Sequence, residues 1–125
     1  MSIQHTLVHH VALTVTDMAR SLAFYQKIGF EKFAEFGPKV LTSNGTVMIG
    51  MEACAPAADR FDEKRVGLDH VSFQVASRED LETAVTYFNQ QGIRHGGITD
   101  LVDFGIAVLP FYDPDGIALE FTAAI

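Results

Sequence analysis

Cysteine is almost missing from this chain. Cys54 stands alone among 125 residues, so no intramolecular disulfide can form, and a reducing cytoplasm is the expected compartment. Basic residues are scarce too. Nine Lys and Arg against sixteen Asp and Glu leave a formal net charge of −7, a balance that repels phosphate backbones and argues against a nucleic-acid partner. Long apolar runs are lacking: charge or glycine interrupts them within about ten residues, whereas a spanning helix needs about twenty. No membrane segment is therefore expected, and the N-terminus up to His5 lacks the basic-then-apolar order of a secretory signal. Gly92, Gly96 and Gly97 do not follow a strand that opens a helix, so they form no phosphate-binding loop, and no Ser or Cys nucleophile motif is visible. What is present is a globular composition, 48% hydrophobic and 20% charged. Surface scaling lets a chain of this size bury roughly 13,000 Å² on folding, enough for one compact core.

Against that background five histidines, His5, His9, His10, His70 and His95, are more than packing calls for. Two of them mark an internal repeat. His10-Val11-Ala12-Leu13-Thr14-Val15 aligns with His70-Val71-Ser72-Phe73-Gln74-Val75, with His, Val and Val identical. Each copy precedes a helical pattern. The first runs from about Asp17, a plausible N-cap, to Ile28, with Met18, Leu22 and Tyr25 on one face. The second runs from about Arg78 to Gln91, with Ser77 and Asp80 spaced as a capping box and Leu81, Ala84, Val85 and Phe88 on one face. Gly29-Phe30 and Gly92-Ile93 supply left-handed stops. Strand patterns follow near 31–36, 40–43 and 46–52, then 98–102, 106–112 and 117–122, with turns at Asn44-Gly45 and Asp113-Pro114-Asp115-Gly116. The expected fold is α+β, two tandem βαβββ modules in one domain, with helices covering one side of curled antiparallel sheets. Module one spans about 6–53 and module two about 68–125, and the two share a single core. Residues 54–67 read as a solvated linker whose Arg60-to-Arg65 stretch, with Phe61, could instead lie across the concave face and meet an anionic substrate.

Strand parity selects the chemistry, because residues two apart share a face. His70, Ser72 and Gln74 face one way, as do His10, Ala12 and Thr14, while His9 belongs to the opposite face and forms no dyad with His10. Glu120 is the one charge in an otherwise apolar last strand, a costly placement unless something positive meets it. Two repeat-related histidines and an isolated carboxylate suit a divalent metal, Fe, Mn, Ni, Co or Zn, with coordination positions left open. The alternative is that both histidines simply line a cavity and Glu120 pairs with one of them. His5 and His95 read as surface residues. Met48, Met51, Phe33, Phe36, Phe104, Phe111 and Phe121 read mostly as core, with several facing a pocket for a small, partly apolar molecule.

The run from His10 to Tyr25 followed by Gly29-Phe30, together with Asp113-Pro114-Asp115-Gly116 and Leu119-Glu120, resembles the vicinal oxygen chelate superfamily of glyoxalase I, bleomycin-resistance proteins, fosfomycin-resistance enzymes and extradiol dioxygenases. The resemblance covers almost the whole chain. It implies a cup-shaped sheet with a metal at its base, His10, His70 and Glu120 as ligands, and a homodimer whose cups are often completed by strands of both chains. The family often has a fourth ligand on the last strand of module one. Aligning Asn44-Gly45 with Asp115-Gly116 places Ile49 there; Glu52, of opposite parity, reaches it only in a slipped register. That departs from glyoxalase I and leaves the two-His, one-Glu sets of the fosfomycin-resistance and extradiol branches. For a fosfomycin-type cationic cluster module two offers only Arg78 and Arg94, and for an acid/base group beside the metal the nearest phenol is Tyr112, whose other reading is structural. The expected function is a metal-dependent enzyme, a lyase, isomerase or dioxygenase, acting on a small oxygenated molecule. The alternative from another class is a metal-free, drug-sequestering protein of the bleomycin-resistance type.

Overall fold

The structure is a computed structural model that describes residues 2–125. The chain divides into two compact units, the first ending at Asp59 and the second covering Arg60–Ile125; the boundary falls inside the expected linker.

The first unit contains strand β1 (His10–Thr14), helix α1 (Met18–Lys27) and strands β2 (Glu31–Phe36), β3 (Lys39–Ser43) and β4 (Met48–Glu52). Asp17 caps α1 by accepting the Arg20 amide, and the helix ends before Gly29, whose positive φ turns the chain into β2. The sheet order is β1-β4-β3-β2, with β1 parallel to β4 and the other pairs antiparallel. Val15, Tyr25, Phe30, Ile49 and Met51 are fully buried and form the core of this unit.

The second unit repeats the plan with β5 (Val71–Gln74), α2 (Arg78–Gln91), β6 (Thr99–Leu101), β7 (Ile106–Tyr112) and β8 (Ala118–Ala124), plus a short 3-10 turn at Val102–Phe104. Ser77 and Asp80 form the capping box of α2, and Gly92 closes it in the left-handed conformation. The order is β5-β8-β7-β6, with β5 parallel to β8. Leu81, Phe88, Leu109, Phe111 and Leu119 are buried between helix and sheet, and the Phe88 and Phe111 rings lie 4.8 Å apart. Two sheets of four strands, each carrying one helix, are the tandem βαβββ fold expected from the repeat. No helix among the described residues is long and apolar enough to cross a membrane.

Several sequence expectations about individual side chains change. Phe33, Phe36 and Phe104 are exposed rather than core, because an apolar count does not say which face of an outer strand or turn carries each ring. His95 is half-buried: its Nε2 meets Asn89 Oδ1 at 2.8 Å, its Nδ1 accepts the Gly97 amide, and its ring packs on Phe88. It is a structural histidine joining α2 to the segment beside β7.

Candidate active site

In the second unit, β8 pairs with both β5 and β7, which sets Ser72 opposite Glu120 and Glu120 opposite Pro110. Extending that register by one residue places His70, just before β5, in the row of Ala118 and Tyr112. Directly paired residues point to the same side of a sheet. One face of this unit therefore carries His70, Ser72, Glu120, Thr122 and Tyr112, while Val71, Phe73 and Leu119 turn to the core side. Parity groups His70 with Ser72; the register adds Glu120, Thr122 and Tyr112.

His70 Nε2 lies 3.6 Å from Glu120 Oε1. Glu120 is not otherwise isolated: Thr122 donates its hydroxyl to the same Oε1 at 3.1 Å, and Ser72 and Thr122 share a hydroxyl contact of 2.5 Å. The other ring nitrogen, Nδ1 of His70, is taken by Asp69 Oδ1 at 2.7 Å. This contact holds the proton affinity of the imidazole above its ordinary value; partial burial opposes the effect, and the negative charges of Glu120 and Glu63 add to it. A carboxylate on one ring nitrogen fixes the tautomer and orients the other nitrogen toward a ligand. Sequence reasoning missed Asp69, although its position next to His70 was the available signal.

His10 opens β1 in the first unit. Its Nδ1 contacts the Nδ1 of His9 at 2.8 Å, and the two rings sit edge to face. Parity places His9 on the opposite face from His10, yet the two ring nitrogens meet directly. The pairs His9–His10 and Asp69–His70 share one design, in which the preceding residue holds Nδ1 and leaves Nε2 available.

The register corrects the fourth-ligand expectation. Ala12, the counterpart of Ser72, lies opposite Gly50, so Gly50 and not Ile49 occupies the place of Glu120. The reason is turn length: four residues, Asn44 to Val47, separate paired positions in β3 and β4, whereas five, Asp113 to Ile117, separate them in β7 and β8. A one-residue slip moves every side chain to the other face. Glu52 consequently lies on the His10 face, opposite Thr14, and lines a cavity of about 280 Å³ with His10, Lys39 and Gly50. Cys54 borders the same cavity, and its thiol is pushed above its ordinary range chiefly by its hydrogen bond to Glu52, which makes it a poor nucleophile.

Tyr112 is half-buried, with the Arg94 guanidinium 4.3 Å from its ring centroid. Arg78 is engaged elsewhere, in a two-point contact to Asp100 at 2.7 and 3.0 Å and another to Glu82 at 2.8 Å. The structure thus brings His70, Glu120 and Tyr112 to one face of the second unit and holds His10 and Glu52 on one face of the first. No three His, Cys, Asp or Glu side chains are gathered as a metal-binding group among the described residues.

The His70–Glu120 pair passes a simple fit test. Two donor atoms each about 2.1 Å from one metal ion lie between about 3.0 and 3.6 Å apart as their angle opens from about 90° to about 120°. The observed separation is within that window, and both donors face the same side.

A duplicated βαβββ unit with a histidine and a carboxylate facing outward from its parallel strand pair defines a protein class built by module repetition. The chain belongs to the Glyoxalase/Bleomycin resistance protein/Dioxygenase superfamily, whose sequence profile matches residues 7–121. It is 28% identical to a glyoxylase/bleomycin resistance protein/dioxygenase domain from Frankia sp. EAN1pec, over 98% of this chain and 100% of that one, with a TM-score of 0.81. The fold is shared with a mutant of the fosfomycin resistance protein FosX from Listeria monocytogenes, solved with Mn(II) and 1S,2S-dihydroxypropylphosphonic acid (21% identity, 98% and 93% covered, TM-score 0.76). It is shared also with a lactoylglutathione lyase from Agrobacterium tumefaciens (20% identity, 95% and 94% covered, TM-score 0.74). No curated protein matches the chain.

Proposed function

We propose that this chain is a metalloenzyme of the vicinal oxygen chelate type, holding a divalent ion through His70, Glu120 and His10 and acting on a small oxygenated organic molecule. The observation that carries this reading is the His70 Nε2–Glu120 Oε1 pair at 3.6 Å, with Nδ1 of His70 already held by Asp69. His10, prepared in the same way by His9, is the third donor, supplied by this chain or by a second copy. Fe, Mn, Ni, Co and Zn all accept imidazole and carboxylate ligands, and the Mn(II) bound by FosX makes Mn the first ion to try. A bound ion supplies open positions for two neighbouring substrate oxygens and stabilises negative charge that develops on them. Glu120 keeps its carboxylate oriented through Thr122, Asp69 keeps His70 in one tautomer, and the apolar residues behind the sheet hold both strands rigid.

Metal analysis of protein purified without chelators tests the reading. Wild-type protein is expected to carry divalent metal, and the His70→Ala and Glu120→Gln variants to lose it. A wild type that holds no metal and gains no thermal stability on addition of Mn(II) overturns the proposal in favour of metal-free ligand capture.

A further inference from the structure

Residues 60–64 do not form a free linker. The Phe61 amide donates to the Asp115 carbonyl at 3.0 Å, pinning this segment to the turn before β8. Between the pinned segment and the sheet lies a cavity of about 580 Å³ lined by Phe61, Lys64, Arg94 and Tyr112 among others. Arg94 sits beside β7, its carbonyl accepting the Tyr112 amide, and its guanidinium carbon lies over the phenol ring, 4.3 Å from the centroid. Stacking on an aromatic face fixes the guanidinium plane while leaving its N–H edge free to bind an anion. Arg94 makes no ion pair, and the Tyr112 hydroxyl has no hydrogen-bond partner, among the described residues.

Asp62, Glu63 and Asp113 also line the cavity. Asp113 is buried, and its Oδ1 accepts the Asp115 and Ile117 amides. Asp62 accepts the Lys64 amide. Arg60, Lys64 and Arg94 supply its cationic groups, and of these Arg94 is the one held over an aromatic ring.

We propose that Arg94, laid on Tyr112, is an anion anchor that takes the carboxylate or phosph(on)ate group of a small molecule, with Lys64 as an auxiliary cation. Tyr112 lies in the cross-strand row of His70, two strand spacings or about 10 Å away on the same face. The anchored molecule therefore carries its anionic group several bonds from the oxygens presented to His70 and Glu120. That last step, from ligand to substrate, rests on the metalloenzyme reading; the anion site itself does not.

The test uses chelator-treated full-length protein, titrated separately with glutarate and with inorganic phosphate and followed by calorimetry, alongside metal analysis of the same variants. Saturable binding of either probe is expected, weakened about tenfold or more in Arg94→Gln, as for loss of a charge-assisted contact, and partly kept in Arg94→Lys. Preference for glutarate identifies a carboxylate ligand, and preference for phosphate a phosph(on)ate. Metal content of the Arg94 variants should equal that of wild type. Failure of both probes to bind wild-type protein, or equal binding by Arg94→Gln with an unchanged melting temperature, overturns the anchor even if metal binds. Conversely, Arg94-dependent anion binding in a protein that never takes up metal sustains the anchor and removes the metalloenzyme reading.

Discussion

Asp69 acts on a candidate ligand without being one. It holds Nδ1 of His70 at 2.7 Å while Nε2 faces Glu120, and outer partners of this kind commonly change metal affinity by 10–100-fold. Asp69→Asn is expected to lower Mn(II) affinity by about tenfold without changing stoichiometry, because the amide still orients the ring but carries no charge. Equal affinities for variant and wild type in a competitive chelator titration would sink that role. Arg94 and Arg78 show why residue identity alone did not separate function from scaffold. Both are arginines of the second unit, yet one spans two carboxylates and the other lies on a ring facing a cavity. The difference resides in partners far away in sequence, such as Asp100, which a motif search does not see.

Helix α2 is tied at its start in two ways. Ser77 and Asp80 satisfy each other's backbone amides, and Arg78 bridges to Asp100 at the start of the second sheet. Ser77→Ala is expected to cost about 1 kcal/mol, the usual worth of an N-cap, read as a lower urea midpoint with an unchanged slope. Arg78 holds the Asp100 carboxyl below its ordinary pKa. A depressed carboxylate contributes stability above its unfolded value and loses that contribution as pH falls through its folded value. The stability gap between wild type and Asp100→Asn should therefore be present at pH 7 and shrink as pH falls below about 4. Both groups are exposed, so 1 M NaCl should also narrow the gap at neutral pH; a gap independent of pH and salt contradicts the assignment. These elements were legible in the sequence because caps, glycine stops and period-two runs are local signals: Asp17, Ser77, Gly92 and the Asp113 turn all stand where their spacing placed them. The site was half legible. The histidine repeat and parity single out His70 and Glu120, but sequence alignment through the two glycine turns misses the extra residue in the β7–β8 connection. Ile49 was taken for Gly50, and Glu52 was put on the wrong face. The exposure of Phe33, Phe36 and Phe104 was hidden for the same reason: nothing local says which edge of a sheet stays uncovered.

The two units carry matched halves of one design, each opening its parallel strand pair with a histidine whose Nδ1 is held by the preceding residue. The family resemblance implies a homodimer, often with each site completed by both chains, and a mixing experiment reads this directly. His10→Ala and His70→Ala proteins should each bind no metal alone. Refolded together in equal amounts, half the dimers are mixed and each mixed dimer has one intact site of two, so about a quarter of wild-type metal content should return. No recovery indicates that both ligands must come from one chain. Gly50 adds a constraint on how such a protein can change. Leu41 Cδ2 lies 3.3 Å from where a Cβ at Gly50 would stand, so any side chain there crowds the neighbouring strand. The repeat offers two equivalent positions, Gly50 and Glu120, and Leu41 crowds the first. A carboxylate in the place that Glu120 holds in the second unit would need the Leu41 side chain to yield by a few tenths of an ångström.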